Sequence, residues 1–229
     1  VKRLVLFDID ETMISSDGAG RRAIARALEE KHAIAEPATR VPMSGKTDPQ
    51  ILMEIFTSQG FAEDKAKSHI GDLIDCYLQY LDEEMQKSQT LILHEGVVAI
   101  LDRLQQDDGS YLGLLTGNVE IGARKKLNFF DLNRYFEIGA YGSDSADRLE
   151  LPQFAVERAH AHFGVSFAPE EVWIIGDSVN DIACAHGYGA KVIAVNTGKT
   201  SWDELHARKP EHLMKNLADT EAVYRAIFN

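Results

Sequence analysis

The chain has 229 residues, 45% of them hydrophobic and 26% charged, with a formal net charge of −12. That balance describes a globular chain with enough apolar side chains for a substantial core, in one large domain or a core with a smaller insert. The acidic excess argues against nucleic acid or an anionic membrane as partner, since both attract basic surfaces, and two distant cysteines, Cys76 and Cys184, argue against a disulfide framework or a zinc site.

Val1, Lys2 and Arg3 lead straight into Leu4-Val5-Leu6-Phe7, a continuous apolar run of the kind buried on both faces of a parallel sheet. With no apolar leader before that run and no stretch long enough to span a bilayer, the expected location is the cytoplasm. Residues 18–89 contain no strand-like run. Ile24, Ala27 and Leu28, then Ile51, Leu52, Ile55 and Phe56, then Ile70, Leu73, Ile74, Tyr77, Leu78 and Leu81 recur at helical spacing. The segment predicts a helical bundle inserted after the first strand, giving a helical cap over 17–89 and a core over 1–16 and 90–229. Its least regular stretch is 36–46, with Pro37, Pro42 and Gly45.

After the insert, strands and helices alternate. Val97, Ile100, Leu101 and Leu104 predict a helix, Tyr111 to Leu115 a strand, and 136–140 a weaker strand. Residues 152–163 begin with proline and stop at Gly164, the asymmetry of a helix. Two further apolar runs, 172–175 and 192–195, complete the pattern. Alternation of this kind predicts an α/β fold: a Rossmann-like parallel sheet flanked by helices, with the helical cap inserted.

Three of the runs end in residues able to do chemistry, and ligands of open α/β sheets bind at the carboxyl ends of strands. Asp8-Ile9-Asp10-Glu11-Thr12 follows the first, Thr116-Gly117-Asn118 the second, and Gly176-Asp177-Ser178-Val179-Asn180-Asp181 a later one. Each piece alone has a bland reading as a turn or a helix cap. Together they predict Asp8, Asp10, Asp177 and Asp181 at one crevice. Four such carboxylates repel one another unless a cation sits among them. All-oxygen ligation suits a hard cation, and Mg²⁺ is the usual partner of phosphate chemistry.

Asp8-x-Asp10-x-Thr12, Thr116-Gly117-Asn118 and Gly176-Asp177-x-x-x-Asp181 resemble motifs one, two and four of the haloacid-dehalogenase-like hydrolase superfamily. Ser44-Gly45-Lys46-Thr47-Asp48 resembles the cap loop of its phosphoglycolate-phosphatase-like branch. The resemblance implies a Mg²⁺-dependent phosphatase of a small phosphate ester. Asp8 would be the nucleophile, forming an aspartyl-phosphate. Asp10 would be general acid and then base, and would offer its backbone carbonyl to the metal. Asp177 would be a further ligand, with Asp181 holding a metal-bound water or orienting the site. Thr116, Gly117 and Asn118 would receive the phosphoryl oxygens. The family's usual lysine before the fourth strand is missing, and the role passes to Arg148, whose fork of donors can bridge Asp8 and phosphate. Lys125 and Lys126, a turn or more into the helix after motif two, read as solvated surface lysines. Glu11 replaces a usual glycine.

Dehalogenases of the superfamily lack the second aspartate of motif one, so Asp10 favours phosphate transfer. A phosphomutase of the same fold and a non-catalytic binding module are the alternatives. Lys46 and Thr47 are candidate contacts to the substrate's far end. Equally, Thr47 and Asp48 can cap a helix that begins near Pro49. The partner expected is a small molecule, with neither nucleic acid nor membrane, and the chain a monomer or homodimer.

Overall fold

The computed structural model describes residues 1–35 and 39–229. Six parallel strands form one sheet, β1 (Arg3–Phe7), β4 (Ser110–Leu115), β5 (Ile138–Ala140), β6 (Val172–Gly176), β7 (Lys191–Val195) and β8 (His212–Met214), in the order β5-β4-β1-β6-β7-β8. The run Leu4 to Phe7 is apolar at every position because both faces of the sheet are covered. Val5 and Phe7 pack with α4 (Val97–Gln105), α5 (Glu120–Asn128) and α9 (Thr220–Phe228). Leu4 and Leu6 point the other way, to α6 (Leu151–Phe163), α7 (Val179–Tyr188) and α8 (Trp202–Ala207). Gly164 ends α6 in the left-handed region at φ 68°. The chain runs outward from β1 through β4 to β5, then crosses back to β6 on the other side of β1. Such a reversal opens a crevice at the carboxyl ends of β1 and its two neighbours.

The second and third helical stripes lie on helices longer than the stripes themselves. α1 (Ala19–His32), α2 (Asp48–Ser58) and α3 (Glu63–Lys87) share a core cluster of their own, with Ile24, Leu52, Ile55, Phe56, Tyr77 and Leu81 inside it. Arg22 and Arg26 of α1 each reach Glu84 of α3 at 2.9 Å, and that carboxylate is largely buried. The chain enters and leaves this helical segment through a short antiparallel pair, β2 (Ile14–Ser15) with β3 (Ile92–Leu93), which a two-residue ladder is too brief to announce in the sequence. Residues 36–38, in the stretch expected to be least regular, lie outside the described residues. Among the described residues no helix is long and apolar enough to cross a membrane.

Leu81 is fully buried between α3 and its neighbours. Leu81→Ala leaves a cavity there and is expected to destabilise the chain by about 2–5 kcal/mol. Urea denaturation followed by circular dichroism measures it, and a loss below 1 kcal/mol, roughly what a solvated leucine would give, would contradict this packing.

Candidate active site

Backbone pairing carries the three chemical strand ends to one place. Asp8 N–H still bonds Ile175 O at 2.9 Å, so the residue after β1 stays beside β6. Thr116 N–H bonds Ala140 O at 3.0 Å and holds the end of β4 in line. Ser178 caps α7, accepting from Asp181 N–H, while the Asp181 carboxylate accepts from Ser178 N–H at 3.0 Å and from its hydroxyl at 2.6 Å. The Gly176-Asp177 motif caps a helix, and the cap places Asp181 at the crevice.

Asp8, Asp177 and Asp181 each present a carboxylate oxygen within 4.8 Å of one another, and all three are buried. The Thr12 hydroxyl stands 3.3 Å from Asp177 Oδ1 and 3.5 Å from Asp8 Oδ2. Arg148, also buried, donates through one guanidinium nitrogen to Asp8 Oδ1 at 3.1 Å and to Asp181 Oδ1 at 2.5 Å. Burial works against its charge, but Asp181 and Asp8 outweigh that and keep it firmly protonated. Among the described residues Arg148 pairs with these two acids and not with Asp144, Asp147 or Glu150, its acidic neighbours in sequence. Asp144 pairs with Arg158 instead, at 2.6 Å.

One cation among three buried acids is not enough. Burial, with the charge of its acidic neighbours, pushes Asp8 up to about 7 despite Arg148. Burial again, then Asp181 and Asp8, pushes Asp177 up to about 9. Asp177 Oδ2 is buried without a hydrogen-bond partner. A Cβ on Gly198 would stand 1.7 Å from that oxygen, so glycine is what lets the loop after β7 close over it. A buried oxygen-only cluster with an orphaned carboxylate oxygen fits a hard divalent cation.

The Asp10 carboxylate is not in that cluster. It faces Lys126 and Asn118, so three of the four expected acids converge through their side chains. Lys126 is a correction: it is 6% exposed, not a surface lysine. Its side chain runs back along α5 toward the helix start, as helical side chains do, which a position eight residues beyond Asn118 conceals in a linear reading. Lys125 does pair at the surface, with Asp82 of α3. Glu11 takes the left-handed conformation at φ 60°, the geometry a glycine would adopt freely. Its side chain accepts from Ser15 at 3.0 Å.

The site opens into a cavity of about 780 Å³ lined by both the sheet ends and the helical segment. Lys46 lines it and reaches Glu54 at 2.5 Å. Thr47 does not line it. Its buried hydroxyl accepts from Gln50 N–H at 3.2 Å and donates to Ala146 O at 2.7 Å, so the helix-capping alternative is the one observed. Asp48 N–H bonds Gly117 O at 2.7 Å, and the buried Asp48 carboxylate accepts from Tyr77 and from Val119 N–H, each at 2.9 Å. A Cβ on Gly117 would lie 2.0 Å from Lys46 O, so the motif-two turn and the 44–48 segment touch backbone to backbone. Thr116 is fully buried, its hydroxyl accepting from the Asn118 side chain at 2.8 Å.

A parallel sheet with buried acids at its switch point, covered by a helical segment, is a Rossmann-like fold with a candidate site at its strand ends. The family model described as haloacid dehalogenase-like hydrolase matches residues 5–195, and the chain belongs to that family. It is similar to the pyrophosphatase PpaX of Bacillus pumilus, 23% identical over 97% of this chain and 96% of that one. The phosphoglycolate phosphatase of Photorhabdus laumondii is 22% identical over 95% and 90%. Among solved structures, CbbY from Rhodobacter sphaeroides in complex with phosphate superposes with a TM-score of 0.70 at 18% identity, covering 96% of each chain. The chain is thus an enzyme of the haloacid dehalogenase-like phosphatase family.

Asp8 and Asp177 hold protons more tightly in the folded chain than in the unfolded one. Their contribution to the metal-free fold is therefore present at low pH and lost as pH rises through about 7 and about 9. A divalent cation bound among these acids would compete with those protons. The rise in thermal midpoint on adding Mg²⁺ is expected to grow across that window, and a rise equal at every pH would contradict it.

Proposed function

We propose that the chain is a Mg²⁺-dependent phosphatase that hydrolyses a small phosphate ester through a phosphorylated Asp8, with residues 17–89 acting as a cap over the site. The observation that carries this reading is the Asp8 carboxylate, buried against Asp177, Asp181 and Arg148 on the floor of the cavity. Asp8, Asp177 and the backbone carbonyl of Asp10 would hold the metal, with Asp181 behind them. When bound, Mg²⁺ offsets the negative charge of nucleophile and phosphate together.

An Asp8 oxygen attacks phosphorus and the bond to the ester oxygen breaks. Asp10 hands that oxygen a proton, then takes one from the water that opens the aspartyl-phosphate. Arg148 donates to Asp8 and orients it, with Asp181 accepting from the same guanidinium nitrogen and steadying it. Thr116, whose hydroxyl accepts from Asn118, keeps its own hydrogen for a phosphoryl oxygen. The N–H groups after it join in. Tight closure of the 44–48 segment on Gly117 and Val119 excludes bulk water from the aspartyl-phosphate until one molecule is positioned.

Cations in the cavity wall support a small anionic substrate. Arg21, Arg40 and Lys46 from the helical segment and Lys199 from the loop after β7 line it. Pyrophosphate and phosphoglycolate, which the relatives' names give as their substrates, are anions of that size.

A panel of metabolite phosphates with phosphate detection tests the reading. Asp8→Asn is expected to lose about 10³-fold or more of turnover while keeping its circular dichroism spectrum. Retained turnover would remove Asp8 as the nucleophile. A hexose 1-phosphate should release free phosphate, and isomerisation without release would make the enzyme a mutase.

A further inference from the structure

Lys126 is the buried cation that the aspartyl-phosphate reading leaves without a task. Its ammonium donates to Asp10 Oδ1 at 2.8 Å, to Asp10 Oδ2 at 2.7 Å and to Asn118 Oδ1 at 2.7 Å. Those three bonds use all three of its hydrogens. The Asn118 amide nitrogen gives one hydrogen to Asp10 Oδ2 at 2.7 Å and one to the Thr116 hydroxyl at 2.8 Å. Every donor of Lys126 and of the Asn118 side chain is thus committed to a single closed network running from Asp10 to Thr116.

Asp10 needs that network. Its side chain is 36% exposed, on a tight turn after β1, while Lys126 is 7% exposed. A carboxylate with that much access to the cavity has several rotamers open to it, and productive proton transfer tolerates little misplacement. The Lys126 charge is itself costly in the interior. Burial opposes it, and Asp10 and Asp48 together outweigh burial. Asp48 belongs to the segment that closes onto Gly117, and Gly20 at the start of α1 is so near that a Cβ there would stand 3.5 Å from the ammonium. The helical segment therefore forms part of the wall that encloses this lysine.

We propose that Lys126 is a positioning residue for Asp10: it fixes the acid–base carboxylate toward the ester oxygen and ties it, through Asn118, to the phosphoryl-binding Thr116. The proposal rests on the aspartyl-phosphate reading. It predicts a selective defect, because an acid matters most when the leaving oxygen departs poorly without a proton. Phenyl phosphate and p-nitrophenyl phosphate have nearly the same shape, but only p-nitrophenolate leaves readily unprotonated.

The experiment measures kcat/KM for both esters, with Mg²⁺, in the wild type, Asp8→Asn, Lys126→Met and Lys126→Gln. Lys126→Gln keeps a polar donor in the site should the methionine variant fold poorly, and circular dichroism checks both. The Lys126 variants are expected to lose about 100-fold more kcat/KM on phenyl phosphate than on p-nitrophenyl phosphate. Equal losses on the two esters would mark Lys126 as merely structural and overturn the proposal, as would no loss on either. Wild-type turnover abolished by Asp8→Asn shows that the underlying reading stands whichever way the lysine variants fall. Turnover that survives Asp8→Asn overturns that reading, and the positioning role with it.

Discussion

Three carboxylates that would repel one another in any loose arrangement are held within one ion's reach at the end of the sheet, with a single guanidinium between two of them. Buried charges of one sign cost several kcal/mol each unless paired, so this cluster works against a metal-free fold. It persists because the surrounding structure gives Asp8, Asp177 and Asp181 nowhere else to go. Asp8 continues the pairing of β1 with β6, Asp181 is bound into the first turn of α7, and the glycine at 198 seats a loop against Asp177. A divalent cation held among these acids would offset the repulsion that makes them reluctant to ionise.

On the proposed mechanism, the helical segment answers a second requirement. A carboxylate that carries a phosphoryl group must be sheltered from bulk water, and a crevice at strand ends is open by construction. The segment 44–48 meets the core through backbone bonds to Gly117 and through Asp48 to Val119. Asn180, beside the acidic motif, donates to Ser44 O at 3.0 Å. Each of these contacts lands next to a residue of the site, so movement of the helical segment would be felt there at once. Lys46 remains in the cavity wall, whereas Thr47 is consumed in holding the start of α2.

Two cations divide the site. Arg148 serves the acids around Asp8, and Lys126 serves Asp10. Arg148 meets two carboxylates through one guanidinium nitrogen, and lysine suits the second place because its three hydrogens match a carboxylate and an amide oxygen. The separation keeps Asp8 and Asp10 in different electrostatic surroundings although they are two residues apart.

The sequence by itself determined the parallel sheet, the helical insertion and the acidic strand ends, because buried strands must be apolar at every position and a run that ends abruptly in aspartate marks where the sheet meets solvent or ligand. Arg148 was legible from the motif order. The short elements β2, β3, β8 and α8 were not, since two to six residues carry too little periodicity to stand out. Tertiary structure alone decided that Asp10 turns away from the other acids, that Thr47 caps a helix, and that Lys126 is buried. A lysine two turns into a helix reads as solvated in a linear chain. Only the packing of α5 beneath Gly20 and Asp48 removes the water that would otherwise surround it.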